Sequence, residues 1–446
     1  YSDMNGYGAT LNLYFIYKIY WFSLGLVFSI LTALFYVRGL PSNFNEKIII
    51  AKSRFKGKYP FFITFFTLIF LSIGGYIYYE NNILNKRTTQ KESEIITVEG
   101  EKKYKKYENY KQPRIVSVNV DVNIFPSTRD VNASGEYVMI NKTKEAIDSI
   151  FLDHNSLIST FKFDKETDLV SEDTIYNLDI YKLGTPLYPG DSLKLSFSLK
   201  NKPNTVLRNN SQIIYNGTFI NSSIFPSLGY SLGELRDDKT REKYDLPPNK
   251  LKPHPSDSTS LGNTYIAKDA DWIDFEATVS TSKDQIAIAP GYLQKEWIEG
   301  DRRYFHYKMD SKILNFYAFN SAKYEVLKDK WNDVNLEIYY HKGHEYNLDR
   351  MIKGMKAALD YCTENFSPYQ HKQLRIIEFP KTAGGFAQSF PNTIPFSESI
   401  GFIADVDDSE EGGNDYAFFI TAHEVAHQWW AHQVIGADVL GATVLS

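Results

Sequence analysis

Two histidines near the end of the chain have the spacing of a metal site. His423 and His427 lie four residues apart in DYAFFITAHEVAHQWWAHQ, so on a helix both imidazoles project from one face, about one turn apart. Two nitrogens placed in this way can reach a single zinc ion. Glu424 follows the first histidine and can take a proton from an activated water without being a ligand. The pattern therefore predicts hydrolysis by a zinc-activated water.

The residues around this motif favour a helix. The loop 412–414 and Asp415 precede it as a plausible N-terminal cap, and no proline or glycine follows before Gln433. The alternative is a histidine-rich amphipathic helix whose residues have ordinary surface or core roles.

The third metal ligand is not evident from the local sequence. A histidine six residues after His427 would mark the metzincin pattern, but Gln433 occupies that place and Trp430 replaces its glycine. His432 lies roughly 140° around the helix from His427, so it should face elsewhere. Asp438 in the next segment is an alternative ligand.

Two apolar runs near the start of the chain predict membrane spans. Residues 19–37 and 60–79 contain no charged side chain, and about 20 apolar residues suffice to cross a bilayer as a helix. The alternatives are buried core helices or, for the first run, a signal peptide, although that run is too long and lacks a small-residue cleavage site. We therefore expect residues 1–80 to form a membrane region in contact with lipid.

The segment between the two runs indicates their orientation. It contains one acidic residue, Glu46, and six basic ones: Arg38, Lys47, Lys52, Arg54, Lys56 and Lys58. Short basic loops stay cytoplasmic, so the chain after Glu80 is expected outside the membrane of a multi-pass protein, although Lys86, Arg87 and Lys91 weaken this inference. We further expect additional spans before Tyr1, in a longer protein of which this chain is a fragment.

The rest of the chain changes pattern twice. Residues 81–112 are polar and rich in lysine and glutamate, which predicts a linker. From residue 113 to 315 the pattern is mostly β, beginning with the alternation RIVSVNVDVNI at 114–124. From 316 to 446 strands at 336–340 and 374–379 flank a helix at 348–365, which predicts an α+β catalytic domain.

Net charge and cysteine count exclude some kinds of partner and covalent link. The net charge of −5 shows no basic surplus, so we expect no nucleic-acid partner. The single cysteine, Cys362, excludes an intramolecular disulfide and is expected to be a small buried residue on the helix at 348–365.

HEVAHQWW followed by VIGADVLGATVLS resembles the active-site helices of the M1 (gluzincin) aminopeptidase family. The closest resemblance is to the branch in which an ABC-transporter permease carries a C-terminal M1 domain. It implies a β-rich domain before a thermolysin-like zincin domain, one zinc ion, a peptide substrate and an ABC-type ATPase partner. In this family the third zinc ligand is a glutamate on the next helix, which here would fall just beyond Ser446. The family's catalytic tyrosine would also lie beyond that residue.

A second motif lies where the family has a substrate-binding segment, but one of its residues differs from the family's pattern. The segment GFAQS at 385–389 falls where the family has Gly-Ala-Met-Glu-Asn. The family's glutamate binds the free amino group of the substrate, so Gln388, with Gly385 and Ala387, is implied in substrate binding. A neutral amide accepts a hydrogen bond from an ammonium group but forms no ion pair. Glu398 is an alternative source of the carboxylate, and an ordinary polar edge-strand residue is the alternative role for Gln388.

Together these patterns predict a multidomain chain: two transmembrane helices, a mostly β domain and a truncated α+β zincin domain. The expected activity is that of a membrane-anchored zinc aminopeptidase with an extracytoplasmic catalytic domain. The alternative, suggested by Gln388, is a peptide-binding domain of an ABC-type permease without catalysis. Glu424 favours the enzyme, because a pure binder needs no base there. With two of three ligands, the chain itself is expected to bind zinc weakly.

Overall fold

The computed structural model describes residues 1–37, 39, 43–85, 88–154, 158–200, 206–207, 211–258, 260–406 and 415–442. The chain divides into two compact units, one built mainly from Tyr7–Gln90 and the other from Tyr1–Gly6 and the chain from Lys91 onward. Several residues used in the sequence analysis lie outside the described part: Arg38, Lys86, Arg87, residues 412–414 and Ser446.

The unit at Tyr7–Gln90 is helical. Its helices are α1 (Thr10–Phe35), α2 (Phe44–Arg54) and α3 (Tyr59–Tyr79), and α3 continues through a π-helical turn at Glu80–Leu84. The rings of Tyr20 and Phe70 stack at 4.5 Å between α1 and α3. Beside them, a Cβ on Gly74 would lie 3.1 Å from the Tyr20 ring, so the small residue permits this close approach.

Two of these helices, Thr10–Phe35 and Tyr59–Leu84, are long and apolar enough to cross a membrane. Only 11% of the most apolar window of the first and 0% of that of the second is buried. Within the described residues, neither helix is buried as a core helix would be. The first helix also begins nine residues before the predicted span at 19–37 and ends before it.

The segment predicted as a linker is largely helical. Helix α4 spans Gln90–Tyr104, followed by a 3-10 turn at Lys105–Tyr107. Glu101 on α4 forms a two-pronged ion pair with Arg241, at 2.6 and 2.9 Å, and both side chains are almost fully buried. Tyr104 donates to Asp173 at 2.5 Å. The linker interpretation was wrong because these long-range contacts, invisible to local composition, stabilise a polar helix.

The β-rich region contains strands in three sheets. The strands are β1 (Arg114–Phe125), β2 (Asp130–Ile140), β3 (Ile147–Asp153), β4 (Ile158–Phe163), β5 (Thr167–Asp173), β6 (Leu178–Leu187), β7 (Ser192–Lys200), β8 (Thr218–Asn221), β9 (Ser227–Leu228), β10 (Ala270–Ser282), β11 (Ile286–Ile288), β12 (Tyr292–Glu299), β13 (Arg302–Lys308) and β14 (Ala318–Ala322). Their orders are β12-β13-β10-β1-β2-β7-β4, β5-β6-β3-β9 and β11-β14-β8. A short helix, α5 (Asp238–Lys243), and a 3-10 turn (Ser222–Ile224) lie between strands.

Strand β1 shows the predicted alternation with one irregularity. Val118, Val120 and Val122 are buried as the pattern requires. A register shift between Ile115 and Ser117 turns Ile115 into the core as well. This irregularity, like a β-bulge, therefore turns the side chains that precede it to the opposite face of the sheet.

The remaining strands form a separate layer with its own core. They are β15 (Tyr324–Trp331), β16 (Val334–His341), β17 (Gln373–Phe379) and β18 (Thr393–Ser397). Strands β16, β17 and β18 are parallel neighbours, while β15 is antiparallel to β16. Helix α6 (Leu348–Asn365) connects β16 to β17 and buries Met351, Met355, Ala358, Leu359 and Cys362, the face that the spacing predicts. Helix α7 (Tyr416–Ala426) packs against α6.

The ion pair that docks α4 gives a test of the fold. We expect Glu101→Gln to lower the free energy of unfolding by about 3–5 kcal/mol, because Arg241 would stay buried without its counter-charge. Chemical denaturation of the full chain in detergent measures the effect. Glu136→Gln is the matched control, since Glu136 pairs with Lys194 on the surface and should cost no more than about 1 kcal/mol. Equal losses in the two variants would contradict this assignment.

Candidate metal centre

Helix α7 has a defined start. The Asp415 carboxylate accepts the main-chain N–H of Phe418 at 2.9 Å and pairs with Arg350 at 2.8 Å. Gly354 on α6 lets α7 approach closely, because a Cβ there would lie 2.8 Å from the Phe418 carbonyl oxygen. Asp415 thus caps the helix as the sequence predicts, and the α6 surface fixes its position.

The helix ends earlier than predicted. Regular helix stops at Ala426, and His427 is its C-terminal cap, whereas the sequence predicted a helix through Gln433. The chain turns at 427–429, and Ala431 adopts a φ of 130°, which L-residues seldom adopt. The Trp429 indole donates to the Ser367 carbonyl at 2.8 Å. This tertiary contact overrides the local helical preference.

His423 and His427 come together as the spacing predicts. Their Nε2 atoms lie 3.2 Å apart, whereas two nitrogens at zinc bond lengths and a tetrahedral angle are about 3.3 Å apart. The Nδ1 of His427 lies 3.0 Å from the Trp430 carbonyl, which can only accept, so Nδ1 carries the proton. That bond leaves the Nε2 lone pair for a metal. The two imidazoles therefore fit a zinc ion.

Glu424 has the environment of a base. The residue is 7% exposed, and its Oε2 atom is buried without a hydrogen-bond partner among the described residues. Burial raises the pKa of Glu424 to about 7, although a main-chain hydrogen bond from Ser389 lowers it. A carboxyl group with a pKa near neutrality can both accept and return a proton.

Gln428, a residue that the sequence did not single out, fixes the chain facing the helix. Its buried amide donates to the Ser389 hydroxyl at 2.6 Å and the Phe390 carbonyl at 2.8 Å. Its oxygen accepts the Asn392 N–H at 2.9 Å. We call residues 385–398 the facing hairpin. No local sequence signal marks Gln428, because its partners lie more than 30 residues away.

The three residues implied in substrate binding all lie on the facing hairpin. The Gln388 N–H donates to the Pro395 carbonyl at 3.0 Å, and Ala387 pairs with Phe396. Gly385 is exposed at the start of the segment. The Gln388 side chain is partly exposed and makes no hydrogen bond to any described residue. An edge segment with this side chain available is compatible with peptide binding.

The other candidate residues have different partners. The Nε2 atom of His432 lies 3.0 Å from the Ser389 carbonyl oxygen, within hydrogen-bond distance. Asp438 forms ion pairs with Lys252 at 3.0 Å and Lys268 at 2.7 Å, which argues against a role as metal ligand. Glu398 is fully buried, so it does not offer an open carboxylate to a substrate.

Comparisons with known proteins reveal similarity only to solved structures. No family model and no curated protein sequence matches the chain. The crystal structure of an M1 zinc metallopeptidase from Deinococcus radiodurans matches with 13% identity and a TM-score of 0.47, covering 72% of this chain and 65% of that chain. A variant two-domain M1 zinc metallopeptidase bound to L-arginine matches with 12% identity, a TM-score of 0.45 and the same coverage. The chain thus spans less than two thirds of the length of these proteins.

The pKa of Glu424 predicts a pH-dependent penalty in the metal-free protein. An unfolded glutamate has a pKa near 4.3, so the folded state binds more protons between there and about 7. Stability must therefore fall as pH rises through this window. Glu424→Gln removes the penalty, and we expect its stabilisation over wild type to be about 2–3 kcal/mol larger at pH 8 than at pH 5.

Urea unfolding of chelator-treated protein at the two pH values measures this difference. The exposed Glu136→Gln control should change stability equally at both. A Glu424→Gln effect that is the same at pH 5 and pH 8 would show that the carboxyl group titrates normally.

Proposed function

We propose that the chain belongs to a membrane-anchored zinc metallopeptidase of aminopeptidase type. The observation that carries this proposal is the 3.2 Å separation of the Nε2 atoms of His423 and His427, next to the buried and partly unpaired carboxyl group of Glu424. The family resemblance implies a glutamate as the third ligand and a single zinc ion.

The roles of the residues follow from their environment. His423 and His427 would hold zinc, which supplies a water of lowered pKa and a polarised substrate carbonyl. Glu424 takes a proton from the water and returns it to the leaving amine, and its pKa near 7 suits both transfers. The facing hairpin places the Ser389 N–H against Glu424, and Gln388 is proposed to accept a hydrogen bond from the substrate's amino group.

The proposed location rests on the two exposed apolar helices, α1 and α3. The basic segment between them, with Lys47 and Lys52 on α2, supports a cytoplasmic loop and an extracytoplasmic peptidase region. By resemblance, an ABC-type ATPase subunit is a proposed partner, and lipid is proposed to surround the two helices.

Gln388 also favours a second candidate, a domain that binds peptides without cutting them. A neutral amide lacks the charge that would fix a substrate's ammonium group. Absence of hydrolysis of free and N-blocked peptides by zinc-loaded wild type, together with measurable peptide binding, would support this candidate. Chelator-sensitive hydrolysis would exclude it.

The catalytic role of Glu424 can be tested directly. We expect Glu424→Gln to lower the kcat of zinc-loaded protein on peptide substrates by about 10²–10⁴-fold, because the general base is lost. Zinc content should match that of wild type, since Glu424 is not a ligand. Glu136→Gln should leave kcat unchanged. Hydrolysis by Glu424→Gln at the wild-type rate would refute the mechanism.

The role of Gln388 predicts a change in specificity. Glu at this position would form an ion pair with a substrate ammonium group, worth about 1.5–3 kcal/mol for a charged hydrogen bond. We expect Gln388→Glu to raise the kcat/KM ratio of free over N-acetylated peptides at least about tenfold. Gln294→Glu, on the exposed strand β12, is the matched control. An unchanged ratio would place Gln388 away from the amino group.

A further inference from the structure

A second group of metal-ligating side chains lies at one edge of the parallel sheet. Strands β16, β17 and β18 run parallel, so their carboxyl ends meet at the same edge. His344 follows β16, Glu378 is the penultimate residue of β17, and Glu398 comes directly after β18. Three different strands thus bring one imidazole and two carboxylates together.

The three side chains converge in the protein interior. One ligand atom from each lies within 4.8 Å of the others. Glu378 and Glu398 are 0% exposed and His344 is 4% exposed. The Nδ1 of His344 forms a short hydrogen bond with Glu378, and Glu398 accepts the N–H of Lys381 at 3.1 Å and of Met4 at 3.4 Å.

The charges in this cluster are incompletely balanced. No lysine or arginine within the described ranges forms an ion pair with Glu378 or Glu398, whereas His344 pairs with Glu378. Asp3 adds a further carboxylate, 3.6 Å from the Nε2 of His344. Two fully buried carboxylates beside one imidazole therefore leave a deficit of positive charge.

A further nitrogen beside the cluster also lacks a partner. The His341 ring lies 5.0 Å from the His344 ring, nearly perpendicular to it. Its Nδ1 atom is buried and has no hydrogen-bond partner among the described residues. Imidazole nitrogens and carboxylate oxygens are ligand types that divalent transition metals accept.

We propose that His344, Glu378 and Glu398 bind a divalent transition-metal ion, at a site separate from His423 and His427. One imidazole and two carboxylates suit Zn²⁺ or Mn²⁺. The cation supplies the missing positive charge in the interior. Because ligand atoms would come from three strand ends, the bound ion is structural and bridges them.

This ion would support the facing hairpin. Glu378 lies just before the hairpin and Glu398 ends it, so one cation holds both ends of the segment that carries Gln388. The proposal does not depend on catalysis at Glu424, since a structural ion would be bound whether or not the protein cleaves peptides.

Zinc binding in a background without the peptidase histidines tests the proposal. The full chain carrying His423→Ala and His427→Ala is stripped with chelator and titrated with Zn²⁺ in detergent. We expect one zinc ion per chain and a rise in the melting temperature on adding zinc. Adding Glu398→Gln should weaken zinc binding at least about tenfold. Glu276→Gln is the matched control, because Glu276 forms partly exposed pairs with His306 at 2.7 Å and Lys308 at 2.8 Å and lies outside the cluster.

Two outcomes would overturn the proposal. One is that the double-histidine variant, with its cluster intact, binds no zinc and shows no shift in melting temperature with Zn²⁺ or Mn²⁺. In that case the cluster shares a proton instead of a metal. The other is that zinc binding survives Glu398→Gln unchanged in a cooperatively unfolding protein. Cobalt absorption spectra of the double-histidine variant give a readout that does not require mutation of the buried cluster.

Discussion

The buried amide of Gln428 is the interaction on which the geometry of the candidate site depends. Its three hydrogen bonds join the end of α7 to Ser389, Phe390 and Asn392 on the facing hairpin. Each bond satisfies a group that would otherwise be buried and unpaired, at a cost of about 1–3 kcal/mol per group. The Ser389 main chain in turn contacts Glu424. The relative placement of the base and of Gln388 therefore follows from one side chain.

The buried carboxylates of the protein differ in how far positively charged or hydrogen-bonding partners balance their charge. Glu101 is matched by the guanidinium of Arg241 in a two-pronged pair, which is the arrangement expected of a structural ion pair. Among the described residues, Glu424 has no cationic partner, and its Oε2 atom is unpaired. Glu378 has a histidine but shares its surroundings with a second carboxylate. A buried carboxylate without a full set of partners lowers stability. Such residues cluster at functional sites, so we expect a function at Glu424 and at the Glu378 cluster.

Local periodicity predicted those parts of the fold that depend on one element. The bounds of α6 and its buried face follow from apolar spacing alone, and so does the convergence of His423 and His427. The predictions that were wrong concern features that depend on contacts between residues far apart in the sequence. Residues 81–112 have no apolar periodicity, yet α4 is docked by Glu101 on Arg241, 140 residues away. The end of α7 at Ala426 likewise reflects contacts with another segment, and the register shift in β1 reflects pairing with neighbouring strands.

The neutral charge of Gln388 has a consequence for the base as well as for the substrate. A carboxylate in place of Gln388 would, if it lay near Glu424, raise the pKa of Glu424 further, since like charges disfavour ionisation. Burial, partly offset by the main-chain hydrogen bond from Ser389, already brings that pKa to about 7. A neutral side chain at this position leaves Glu424 able to ionise near neutral pH. The neutral amide proposed to face the substrate's amino group would therefore add no charge that opposes ionisation of Glu424.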